Sequence, residues 1–131
     1  MKEAESEFVR LITESNRSYT RFQGPADPRE WDGTAGAREE VLAPLKQAAV
    51  LCDKVMKERM TLISTNQELI TDSAEIQTIA DGFEIMQWVV QTKISSLERT
   101  DPPKLDDRLR KSRLMSSWQE RVHPRWRRKR H

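Results

Sequence analysis

Nine apolar residues stand exactly one heptad apart between Val41 and Leu97: Val41, Ala48, Val55, Leu62, Leu69, Ile76, Phe83, Val90 and Leu97. A seven-residue apolar repeat keeps one stripe of a helix turned towards a neighbour. The following position often repeats the choice, as Leu42, Ala49, Met56, Ile63 and Ile70, and widens the stripe to the face of a bundle helix. The companion line is polar or small in its middle: Arg59, Asn66, Ser73, Ala80 and Gln87. The centre of the stretch therefore calls for a turn, or for a partner that tolerates polar groups. In a parallel helix pair, Asn66 would set the register.

The chain pattern sorts into helices and breaks. Ala4, Phe8, Leu11, Ser15, Tyr19 and Phe22 recur at three- and four-residue steps and predict a helix over 3–22. Residues 23–36 hold two prolines and three glycines and read as a loop, in which Trp31 anchors the chain on the bundle. A helix is expected from near Ala37, beginning at Leu42 or kinking there because of Pro44. Unbroken, the Val41–Leu97 stretch would be about 80–90 Å long. Thr65-Asn66-Gln67-Glu68 and Asp72-Ser73-Ala74-Glu75 resemble capping boxes, and Asp81-Gly82 is a third place to break. The continuous phase favours long helices with at most one break, near Ser64–Ser73. Residues 74–99 form a further helix, stopped by Pro102-Pro103, and 104–122 suit a short one.

Charge divides the chain. Lys104 to His131 holds 11 Lys and Arg against 3 Asp and Glu, whereas residues 1–103 hold 12 against 18. The expected organisation is a helical domain over 1–100 and a basic, largely disordered tail over 101–131. The expected fold is all-α: an elongated antiparallel bundle or coiled coil of two to three long helices. Hydrophobic residues make up 36% of the chain and charged residues 34%, which is lean for a self-sufficient core and points to a protein partner or self-association.

Nothing in the sequence calls for catalysis or a cofactor. The glycines form no phosphate loop, and His123 and His131 have no neighbouring ligands for a metal. Cys52 lacks a histidine within a helical turn and reads as a buried structural thiol. The adjacent pairs Glu39-Glu40 and Asp106-Asp107 do not share a helix face. The candidate polyanion-binding residues are Arg125, Trp126, Arg127, Arg128, Lys129 and Arg130, a set suited to nucleic acid, anionic membrane or an import receptor. With no apolar run of spanning length and an acidic N-terminus unlike a signal peptide, the expected location is cytoplasmic, or nuclear through the basic tail.

Three segments carry a family likeness: Phe22-Gln23-Gly24-Pro25-Ala26-Asp27, Glu40-Val41-Leu42-Ala43-Pro44-Leu45, and Asp81 to Val90 with its Met86-Gln87-Trp88-Val89. Over residues 20–92 the chain resembles the N-terminal helical domain of adenylyl cyclase-associated proteins. The family's Phe-Phe-Asn-His element is absent, with Asp72-Ser73-Ala74-Glu75 near its place. The resemblance implies a helical bundle that binds actin–cofilin and aids filament turnover. The function expected is a non-enzymatic interaction or scaffold protein of that actin-regulating kind. The alternative is an oligomeric nucleic-acid-binding protein acting through the arginine-rich tail.

Overall fold

The computed structural model describes residues 2–67 and 69–122, apart from the side chain of Lys2. Among these residues all regular structure is helical: α1 (Lys2–Arg21), a 3-10 turn (Pro28–Glu30), α2 (Ala35–Ser64), α3 (Ser73–Glu98), α4 (Asp107–Arg110) and α5 (Arg113–Val122). The candidate residues Arg125, Trp126, Arg127, Arg128, Lys129 and Arg130 lie outside the described residues.

α1 turns Phe8, Leu11, Ile12, Ser15 and Tyr19 inward. It closes through Gln23, whose φ of 56° lets the Gly24 amide reach the Tyr19 carbonyl at 2.9 Å. Gly24 is required here by close approach, because a Cβ would strike the Tyr19 ring. The Tyr19 hydroxyl donates to the Pro25 carbonyl, and Trp31 packs edge-on against Tyr19 with centroids 5.2 Å apart. The loop is thus wrapped around two buried rings, and Trp31 anchors it.

α2 begins earlier than Leu42. Thr34 accepts a hydrogen bond from the Ala37 amide at 3.2 Å and fixes the start at Ala35. Pro44 then lies well inside the helix, where it cannot donate to the Glu40 carbonyl. Its ring is buried in return. The helix ends at Ser64, and the chain reverses through Thr65–Asp72 before α3 begins at Ser73. Asp72 accepts from the Ala74 amide at 3.0 Å, so the second of the two capping-box sequences starts a helix. The first ends one: the Thr65 hydroxyl donates back to the Thr61 carbonyl at 2.8 Å. Asn66 sits at φ 60°, an exposed left-handed turn residue that asparagine tolerates well, and has no register-setting place in a seam. α3 runs through Gly82 without a break and stops at the left-handed Arg99.

Side-chain pairs give the directions. Ser15 Oγ donates to the Val41 carbonyl at 2.8 Å and Arg21 pairs with Glu40, so α1 runs antiparallel to α2. Arg38 donates to the Leu97 carbonyl at 2.8 Å, Lys46 meets Glu98 at 3.1 Å and Cys52 Sγ lies 3.5 Å from Met86 Sδ, so α2 runs antiparallel to α3. The core gathers Phe8, Tyr19, Val41, Leu45, Val90 and Leu97 with Leu105, Leu109, Met115 and Val122. The boundary expected at residue 100 therefore falls inside one core. The segment 104–122 is two helices rather than one, and its apolar residues are shared with the body.

The heptad line needs one correction. Val41, Ala48, Val90 and Leu97 are fully or almost fully buried. Val55, Leu62, Ile76 and Phe83 are half-buried, and Leu69 is 88% exposed. Leu69 falls in the connection, where no helix carries it towards a neighbour. Leu97→Ala should cost about 2–5 kcal/mol, whereas Leu69→Ala should stay within about 0.5 kcal/mol. Urea unfolding of the two variants beside the parent measures both.

Candidate partner-binding groove

α1 packs on α2 and α5 on α3, and the two meet where Phe8 packs against Trp118 and Asn16 donates to the Arg121 carbonyl. Between them opens a groove of about 360 Å³. Its floor is Val55 of α2 with Ile79, Phe83 and Met86 of α3. Phe8 and Val9 of α1 form one wall, and Leu114 and Trp118 of α5 the other. Trp118 stands edge-on to Phe8 at 5.8 Å, with the Arg121 guanidinium 5.2 Å above its ring. At the rim Val9 is 50% exposed and Leu114 42% exposed. These two side chains carry the apolar surface of the cleft out to its rim.

Cys52 borders this groove as a buried thiol. Burial pushes it up to about 12, helped by the negative charge of Asp53, so it stays protonated and poorly nucleophilic at neutral pH. No cluster of three or more histidine, cysteine or carboxylate side chains suited to a metal occurs among the described residues.

The end of α5 is held by Lys93. This side chain is fully buried, and its Nζ donates to Asn16 Oδ1 at 2.5 Å and to the Val122 carbonyl at 2.6 Å. The Tyr19 ring lies 5.6 Å from the same nitrogen. Asn16 uses its amide to donate to the Arg121 carbonyl at 3.1 Å. One amine and one amide thus satisfy two carbonyls that the last turn of α5 cannot bond internally. Burial lowers Lys93 to about 7 from an ordinary value of 10.5.

Of the nine heptad positions, Val55 and Phe83 line the groove, whereas Val41, Ala48, Val90 and Leu97 belong to the core. Leu62 and Ile76 lie further along the hairpin, and Leu69 is in its turn. The sequence reading did not single out the Lys93 junction. The signal was present: Lys93 stands three residues after Val90 and four before Leu97, on the apolar stripe itself. Comparison with protein-family models, curated proteins and solved structures finds no match for this chain.

The buried amine makes a pH test. Between pH 7 and 10.5 the unfolded chain holds a proton on Lys93 that the folded chain has released, so stability rises with pH across that window and is lost as pH falls through 7. From pH 9 upward the raised Cys52 thiol acts in the opposite sense, because the unfolded chain ionises first. Stability should therefore climb between pH 7 and 9, by up to about 1.4 kcal/mol per unit. Lys93→Met should flatten that slope relative to the parent, as read by urea midpoints at half-unit steps.

Proposed function

We propose that the protein is a non-enzymatic helical interaction module that receives an apolar segment of a protein partner in the α1–α5 groove. The observation that carries this reading is the groove itself, with an apolar floor and Val9 and Leu114 exposed on opposite rims. A cleft of this size admits a few side chains of a partner helix or loop, such as an aromatic anchor. The buried Cys52, protonated at neutral pH, offers no ready nucleophile at the same place.

The likeness to cyclase-associated proteins supports actin–cofilin as the first partner to try. The segment Asp81 to Val90, one of the three that carry the likeness, supplies Phe83 and Met86 to the groove floor. Co-sedimentation with cofilin-decorated actin filaments is the test. Val9→Asp and Leu114→Asp should each weaken binding at least about tenfold, since either would press an unpaired carboxylate against apolar side chains. Binding by the parent that neither substitution weakens would remove the groove from the function. A parent that stays in the supernatant would remove actin–cofilin as the partner.

A further inference from the structure

The surroundings of the fully buried Lys93 suit one protonation state. Its Nζ meets two oxygen acceptors, Asn16 Oδ1 at 2.5 Å and the Val122 carbonyl at 2.6 Å. Two acceptors match the two N–H groups of a neutral amine. A further proton adds a third N–H and a full charge. The remaining neighbour is the Tyr19 ring, 5.6 Å away, whose hydroxyl donates to the Pro25 carbonyl. No carboxylate of the described residues stands beside the amine, and burial is what acts on it. The other charged or titratable groups on the packed elements point elsewhere. On α2 the buried residues are apolar except Cys52, which lies against Met86, about two turns of α3 away. Arg38 reaches the Leu97 carbonyl, about one turn further along. On α5 Arg121 holds its guanidinium over Trp118, and Glu120 is exposed. The turn Pro28–Glu30 buries Pro28 and leaves Arg29 and Glu30 exposed.

We propose that the Lys93 junction is a proton-operated latch on α5: protonation of the amine releases that helix from the body, hinging at Lys111 and Ser112, and lets the ammonium reach water. α5 is the element that yields, because it buries only Met115 and Val122. α4 before it is held separately, by the buried Leu109 and by Arg108 paired with Asp81 at 2.7 Å. α1, by contrast, buries Phe8, Leu11, Ile12, Ser15 and Tyr19. Release returns Lys93 from about 7 to its ordinary value of 10.5, so between these limits an open chain holds a proton that a closed one lacks. The ratio of open to closed therefore rises about tenfold for each unit that the pH falls across this window, and levels off below 7. A helix of 10 residues does not hold itself together alone, so released α5 also loses its helix. Leu114 and Trp118 leave the groove with it. That consequence for binding rests on the partner-binding reading of the groove, whereas the release does not.

Amide hydrogen exchange of the full chain, corrected for the intrinsic rate at each pH, reads the latch without any partner. The α5 amides should be at least about tenfold less protected than the core amides around Val90, and should gain about tenfold in protection per unit from pH 7 to 9. This comparison within the parent needs no variant. Lys93→Met should make α5 protection independent of pH over the same range. His123→Gln, at the histidine that follows Val122 in the sequence, should leave the slope of the parent. α5 amides as protected as the core would overturn the proposal, since α5 would then leave only with global unfolding. So would a slope that survives Lys93→Met in a folded protein, or one that vanishes with His123→Gln.

Discussion

The ammonium or amine of Lys93 must find its hydrogen bonds inside the protein, and much of the bundle is arranged around that requirement. A buried donor left without acceptors costs the whole of its desolvation. Here the acceptors come from two other helices: Asn16 of α1 and the final carbonyl of α5. The Tyr19 ring faces the nitrogen as a third contact, and Tyr19 in turn holds the Pro25 carbonyl of the loop. One side chain of α3 therefore fixes where α1, the loop after it and α5 meet. The acceptors are neutral, so nothing offsets burial with an opposite charge, and the amine is held near its neutral form.

This junction explains why a ten-residue helix with few apolar side chains stays on the body. α5 buries only Met115 and Val122 completely, too little for a helix of that length to form by itself. Asn16 donates to the Arg121 carbonyl and Lys93 to that of Val122, while Trp118 packs edge-on against Phe8 at the other side. Polar satisfaction at one end and aromatic packing in the middle do together what burial alone would not. Position follows from this: α5 held beside α3 and α1 is what gives the groove its second wall.

The three long helices were legible because each is written twice, once in its apolar stripe and once in its ends. Asp72 marks a start, and Pro102-Pro103 follows a stop. The start of α2 expected near Ala37 lies within two residues of the observed Ala35, and only the later start at Leu42 that Pro44 suggested fails, because a capped helix with a buried proline survives the loss of one internal bond. α5 was read as part of a basic tail because its charge outweighs its few apolar residues, and those residues count only once α1 and α3 are in place. Lys93 went unread for a different reason: lysine is ordinarily a surface residue, and its place on the stripe is informative only when the stripe is trusted over the residue type. The groove was not legible at all, since it depends on where α1 ends relative to α2, a tertiary relation that no local pattern encodes.

Low apolar content and an unbroken apolar line are hard to reconcile in one small chain, and the geometry resolves the conflict. With 36% hydrophobic residues and a mean hydropathy of −0.80, there is material to close a bundle over only part of two helices of 30 and 26 residues. α1, at 20 residues, is shorter than either, and α5, at 10, is half the length of α1. The core is therefore complete where all four overlap, around Val41, Val90 and Leu97, and thins to half-burial where only the hairpin continues. Helix length, rather than any single residue, sets the boundary between the part of the stripe that is fully buried and the part that stays half-buried.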